Sequence, residues 1–409
     1  MTDGARERIV PFRLAGHGPM ALIGLGHGAT HWVAATFYIL LPFISRDFGL
    51  SYAEAGALVS VFHIAALTVN FGSGPAVDMT GRRVLFQILA LVIGAVALAG
   101  FGAAGAFTWL AVLVAFIGAT NNLWHPAAIS YLSARYPENR GYALSIHALG
   151  ANLGDAAAPL AAGMLLAWMS WPAAAAVNAA PVLLVALALG LLLAGDRRRA
   201  VQAPAGLGLV EYGRSLMRVM KDRAVLGLCL MAGLRTMAQN GLLVFLPLYL
   251  ADVLEAGPIA MGVALMAMQG GGIVASPVAG ALSDRIGRRP IVMAGLGLTT
   301  VIIATLTLLG GGPLYVAGVA LLGFALYAVR PVVHSWMMDL TPPQMGGSAT
   351  SLMFGTQAAL STVAPVLGGM VADRWGLPSV FYFLAAIMLA ANLAAAMLPN
   401  ARPGGPQRP

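Results

Sequence analysis

The sequence predicts an all-α membrane protein whose twelve spans form two pseudo-symmetric six-helix bundles. Three observations carry this expectation. Of the 409 residues, 59% are hydrophobic and only 9% charged, against about 25% charged in soluble domains. The apolar residues gather into runs long enough to cross a bilayer core of about 30 Å as helices. Polar landmarks of the first half return in the second at a near-constant offset.

In order, the runs cover 20–43, 52–75, 84–104, 107–131, 141–168, 172–194, 224–250, 258–282, 289–310, 313–337, 347–371 and 378–399. They are too long and too evenly apolar for barrel strands, and a helix satisfies its own backbone in lipid. The first run lacks a plausible cleavage site, so it is expected to be an uncleaved span. Residues 195–223 are the longest break, opening on "GDRRR" and continuing with Pro204 and several glycines. The expected division is a bundle over 1–194, a linker over 195–223 and a second bundle over 224–409. Within the linker, 209–221 fits either a short interfacial helix or a plain solvated connector.

The formal charge is +8. A basic balance can signal nucleic acid, but here the arginines sit between apolar runs and point to topology. With the N-terminus inside, 19 of the 23 Lys and Arg fall on the inner side. Arg46 and Arg374 lie outside, and Arg235 and Arg330 lie within spans. Both termini are therefore expected in the cytoplasm of a bacterial-type inner membrane, with lipid and no nucleic acid as partner. The single Cys229 excludes a disulfide framework.

The halves repeat in detail. "GPAVDMTGRR" at 74–83 returns as "GALSDRIGRR" at 280–289. His125-Pro126 corresponds to Arg330-Pro331, and "SIHALGANLGDAAAPLAAG" from Ser145 to "SLMFGTQAALSTVAPVLGG" from Ser351. A duplicated six-span unit points to a transporter with its site between the halves. Gly74 and Gly280 are small enough for close helix packing. Gly81 and Gly287 suit a tight turn. Asp78 and Asp284 can accept from arginines and helix-end amides. The paired prolines predict a shared bend in spans 4 and 10 that frees a backbone carbonyl.

The twice-repeated G-x-x-x-D-x-x-G-R-R resembles the signature between spans 2 and 3 of the major facilitator superfamily. The resemblance covers about 15–400 and implies the major facilitator fold, alternating access and a monomer working without cofactor. It also implies that Asp78, Arg82, Asp284 and Arg288, flanked by Arg83 and Arg289, form a latch on the inner side. Spans 1, 4, 7 and 10 are then expected to line the central cavity.

Ionisable and amide side chains within spans tend to face a cavity or one another. His27 and His31 share one face of span 1, and His63 lies near the middle of span 2. His125, His147 and His334 sit nearer the inner ends of spans 4, 5 and 10. The cavity candidates are His27, His31, His63, Asn121, Asn122, His125, Asn152, Arg235, Gln239, Arg330 and His334. For His63, His147 and His334, a hydrogen bond to a neighbouring helix accounts equally well for the residue.

Asp155 is the only acid deep in a span. Proton coupling is assigned to Asp155 with His125 or His31, and the expected partner of Asp155 is His125, His31 or Arg330. Arg235 and Arg330 suit an anionic substrate. An alternative reading has His27, His31, His63 and His125 as transient ligands of a transported metal ion or metal complex; a permanent metal site is not expected.

"GLGHGA" at 24–29 formally matches a dinucleotide fingerprint, but no strand precedes it. Its glycines are expected to let span 1 pack closely or bend. An enzyme is not expected, because H-E-x-x-H, G-x-S-x-G and a pair of intramembrane acids are all missing. "GHGATH" at 26–31, "WHPA" at 124–127 and "SIHALGANLG" at 145–154 resemble the fosmidomycin-resistance branch, whose members look like proton-driven exporters of drugs and small anions. The chain departs from its relatives at Ala127, at Val114 and at Asp155, which stands where proline is expected. The function expected is export of a small organic compound or drug, anions included, by proton antiport.

Overall fold

The computed structural model describes residues 17–193, 217, 220–341 and 346–399. Most of the 195–223 linker, including the proposed 209–221 helix, lies outside the described residues. Those described form twelve long helices, each long and apolar enough to span a membrane. The first six are α1 (Gly18–Phe48), α2 (Tyr52–Thr80), α3 (Arg83–Ala99), α4 (Phe107–Arg135), α5 (Arg140–Leu166) and α6 (Trp171–Leu193). The second six are α7 (Arg223–Asp252), α8 (Pro258–Ile286), α9 (Arg288–Leu306), α10 (Pro313–Leu340), α11 (Gly346–Trp375) and α12 (Leu377–Met397).

Several helices outrun their apolar stretches. α2 continues to Thr80 and α8 to Ile286, because a helix needs apolar residues only within lipid and continues beyond until a breaker stops it. Gly81 supplies the stop after α2 in the left-handed region (φ 64°), and Gly287 after α8 with φ 98°. At other ends side chains set the boundary. Ser51 and Glu54 form a reciprocal capping box at the start of α2. Asp222 accepts from the amides of Ala224 and Val225 at the start of α7.

Within the first half α1 packs on α5, α2 on α4 and α3 on α6; within the second, α7 packs on α11, α8 on α10 and α9 on α12. The pairings are the same after adding six to each number, so the repeat in sequence is a repeat in space. The halves join through α2–α11, α5–α8 and α1–α7. The first two contacts exchange under the same operation.

Glycines set the closest seams. A methyl group added to Gly28 would stand 2.8 Å from the Gly150 carbonyl oxygen, and one on Gly24 would stand 3.1 Å from that of Ile146. Gly150 and Gly154 press in return on the carbonyls of Gly24 and Gly28. Of the "GLGHGA" glycines, Gly24 and Gly28 therefore pack α1 against α5, and Gly26 packs it against Trp124 of α4. Gly74 and Gly280 correct the sequence reading: an added methyl at either meets nothing within 4 Å. The signature glycines sit in the last two turns of α2 and α8, outside the close seams.

Hydrogen bonds between the halves tie the end that carries the α1–α2 turn. Arg46 binds Asp252 through Nη2 (2.7 Å) and Nε (3.1 Å). The amides of Tyr52 and Ala53 donate to the Asp373 carboxylate at 2.8 and 3.0 Å, so an acid of α11 caps α2. Ser60 donates to the Thr362 carbonyl at 2.7 Å. An added methyl at Gly72, Gly74, Gly141, Gly280 or Gly355 toward the opposite end meets nothing within 4 Å, and the same holds for Gly49 and Gly257 at the tied end. Large apolar side chains such as Leu184, Leu187, Leu191 and Leu192 of α6 are exposed on the outside of the bundle, as a lipid-facing surface requires.

Candidate functional site

A cavity lies between the halves at mid-depth. Its walls come from α1, α2, α4 and α5 on one side and α7, α8 and α10 on the other. Helical periodicity aims the side chains: His31, Ala34, Ala35 and Tyr38 of α1 follow i, i+3, i+4, i+7, and Leu265, Met268, Gln269 and Gly272 of α8 do the same. The wall combines apolar surface with convergent polar groups, the usual composition of a small-molecule site.

Of the cavity candidates, His31, His63, Asn121, Asn152, Gln239 and Arg330 line the wall, together with Asp155. His31 Nδ1 lies 3.0 Å from Asp155 Oδ2, with side chains 23% and 26% exposed. Among the three partners considered for Asp155, the one in contact is His31. Both are half-buried, so the pair bridges α1 and α5 while still reaching the cavity.

Five candidates lie off the wall. His27 is buried behind it, with Nδ1 2.7 Å from the His147 carbonyl oxygen and Nε2 3.2 Å from His125 Nε2. His125 itself turns its Nδ1 to the Asn121 carbonyl oxygen at 2.8 Å. Asn122 donates to the Ala66 carbonyl at 2.8 Å and so fastens α4 to α2. His334 packs edge-on to Phe354, with ring centroids 5.3 Å apart. Arg235 is buried, and its Nη2 donates to Gln239 Oε1 at 2.6 Å. Four of the five stand one helical turn from a wall residue on the same face (His27 from His31, His125 from Asn121, Arg235 from Gln239, His334 from Arg330) and so lie at another depth, whereas Asn122, next to Asn121, points to a different face. Arg235 still acts on the wall, because the amide it holds belongs to Gln239.

His147 completes the buried group. Its ring stacks on that of His27 with centroids 3.6 Å apart, and its Nε2 accepts from Trp124 Nε1 at 3.1 Å. His63 does not join this group; its nearest ring is Phe62. The four-histidine metal set read from the sequence therefore divides. His27, His31 and His125 each offer a ligand atom within 4.8 Å of the others, and His63 stands apart.

Pro331 frees a carbonyl at the wall as expected. Pro331 has no amide hydrogen for the carbonyl four residues back, that of Tyr327, and Ser276 Oγ donates to this oxygen at 3.3 Å. Tyr327, Ser276, Gln269, Asn240 and Tyr38 are cavity residues that were not singled out in the sequence. The signal was present for two of them: Tyr38 is seven residues after His31 and Tyr327 three before Arg330, each on the same helical face.

At the end away from the α1–α2 turn, Arg288 ties three helices of the second half. Its guanidinium binds Asp284, Ser283 at 2.8 Å and Asp339 at 2.9 Å. Asp339, at the end of α10, was not among the signature residues. Arg289 donates to the Ala396 carbonyl. In the first half Arg82 is exposed and Arg83 half-buried, and the side chain of Asp78 lies outside the described ones.

A family model described as Major Facilitator Superfamily matches residues 23–352 and 228–409. The multidrug efflux pump Tap of Mycolicibacterium fortuitum is 26% identical over 94% of this chain and 97% of its own. An uncharacterized MFS-type transporter, YwoD of Bacillus subtilis (strain 168), is 24% identical over 88% and 91%. Among solved structures, a bacterial homolog of the human lysosomal transporter Spinster, inward-facing and occupied, superposes with a TM-score of 0.73 at 17% identity, covering 92% of this chain and 94% of that one. A variant of the nucleoside transporter NupG gives 0.78 at 13% identity, covering 93% and 99%. These two likenesses concern the fold.

Proposed function

The chain belongs to the Major Facilitator Superfamily, and we propose that it exports small organic compounds, drugs and anions among them, by proton antiport with alternating access. It is a multi-pass membrane transporter and not an enzyme. The observation that carries the finer reading is the His31–Asp155 pair on the wall of a cavity that both halves line. Efflux as the direction is supported by the likeness to Tap, a multidrug efflux pump. The kinship with the fosmidomycin-resistance branch rests on residues 26–31, 124–127 and 145–154 alone.

With both termini placed in the cytoplasm of a bacterial inner membrane, the tied end faces outward. Arg330 supplies fixed positive charge on the wall, and the Arg235-held amide of Gln239 supplies an oriented dipole. Both favour a substrate with an acceptor or anionic group. Among the described residues Asp155 is the only acid on the wall, and it is the proposed exchange point for the driving proton. Arg288, with Asp284 and Asp339, is the proposed inner latch in its released arrangement, since these partners all belong to one half.

The test is drug efflux in proteoliposomes carrying an imposed pH gradient. Protein with Asp155 intact is expected to accumulate a fluorescent cationic dye, a fluorescent anion or both against its gradient. Dissipation of the pH gradient should stop this accumulation. Accumulation indifferent to the pH gradient would remove proton antiport, and failure to move any organic probe would remove the export reading.

A further inference from the structure

The tautomers of the buried histidines lead to a second site. A carbonyl oxygen only accepts hydrogen bonds. His27 Nδ1 faces the His147 carbonyl at 2.7 Å, and His125 Nδ1 faces the Asn121 carbonyl at 2.8 Å. Both Nδ1 atoms therefore carry the proton. In the neutral rings both Nε2 atoms are then bare, and they stand 3.2 Å apart. Two lone pairs at that separation repel unless a cation lies between them.

His31 adds a third ring nitrogen, so that the three ligand atoms all lie within 4.8 Å of one another. Its Nδ1 faces the Asp155 carboxylate at 3.0 Å. On His27 and His125 the Nδ1–H is held by a carbonyl, the outer support usual for metal-bound imidazole, and the Asp155 carboxylate gives His31 the same support when its Nε2 is the ligand. Two nitrogens bound tetrahedrally to one zinc at 2.0–2.1 Å stand about 3.3 Å apart, close to the separation of His27 and His125.

We propose that His27, His31 and His125 bind one divalent transition-metal ion, of the class that zinc represents, as a resident of the first half. The ion bridges α1 and α4, and through Asp155 it braces α5. All three ligands come from a single half, so rocking of the halves leaves their geometry unchanged. A transported ion would instead need ligands that the motion releases. His27 and His125 lie behind the cavity wall and only His31 reaches it. The proposal is independent of which organic compound is carried.

The experiment uses untagged full-length protein in detergent, stripped with chelator and then titrated with Zn2+ or Co2+ alone. One ion per chain is expected to bind saturably and to raise the thermal midpoint by several degrees. Co2+ should give the intense visible absorption bands of a tetrahedral nitrogen site. His27→Gln and His125→Gln should each abolish the bands, and His31→Gln should weaken binding at least tenfold. His63→Gln should leave binding intact, which keeps the test decisive if one cluster variant fails to fold. Absence of saturable binding, or binding unchanged in the folded His27 or His125 variants, overturns the site. So does an imidazolium signal in nitrogen NMR that persists with excess Zn2+, since a shared proton would then hold the pair. Uptake of radioactive Zn2+ into proteoliposomes would overturn the resident role.

Discussion

His31 of α1 and Asp155 of α5 meet at 3.0 Å on the wall of the central cavity. The contact brings together the deepest acid of the chain and a histidine 124 residues away in sequence. Asp155→Asn keeps the shape and removes the charge. Efflux driven by a pH gradient should fall at least a hundredfold, while binding of an organic ligand, read by thermal shift, should persist. Full driven efflux by the Asn variant would eliminate Asp155 as the coupling acid.

Asp252 gathers three bonds at the tied end, two from Arg46 and one from the Tyr52 hydroxyl at 3.2 Å. Arg46 is more than half exposed (56%), so the ion pair itself contributes little, about 0.2–1 kcal/mol. The effect of Asp252→Asn should accordingly be a population shift of up to roughly fivefold toward molecules open at this end. Spin-label distances across the α1–α2 and α11–α12 turns measure it. An unchanged distance distribution would mean that the backbone seams alone hold this end.

Arg235 reaches the cavity only by way of Gln239, through a 2.6 Å bond. Arg235→Lys and Gln239→Ala should therefore each raise the substrate KM about tenfold, a charge-assisted hydrogen bond contributing roughly 1.5–3 kcal/mol. The double variant should be no worse than the worse single one, since both remove the same interaction. Additive losses would show that the two residues act separately.

The glycines divide into two sets with opposite expected tolerance. Gly28→Leu drives a side chain into the Gly150 carbonyl and should cost about 1–3 kcal/mol or more. Gly74→Ala and Gly280→Ala meet open space and should leave stability within roughly 0.5 kcal/mol. Thermal unfolding of the three variants in one detergent decides the matter. A marked loss of stability in the Gly74 or Gly280 variant would show that those positions pack closely after all.

The number of spans, the repeat and the family signature are all local in the chain. Lipid demands about 20 apolar residues per helix whatever the fold, and a duplicated motif is visible wherever it sits. Left-handed Gly81 was legible for the same reason, because a turn is built from neighbours. The selection of cavity residues was not. His27 and His31 lie four positions apart on one helix, yet one is buried against His147 and the other faces the cavity with Asp155. The two share a face one turn apart, so the difference lies in which residues of α4 and α5 stand opposite each turn, and the close α1–α5 seam at Gly24, Gly28, Gly150 and Gly154 sets that register. Gln269 and Ser276 went unremarked because ordinary polar residues carry no sign of what they face until α8 is set beside α10. The sequence by itself determined which segments enter the membrane and that they do so as two related sixes. Only the tertiary structure decided which polar groups meet, because helix rotation is set by contacts between residues remote in the chain.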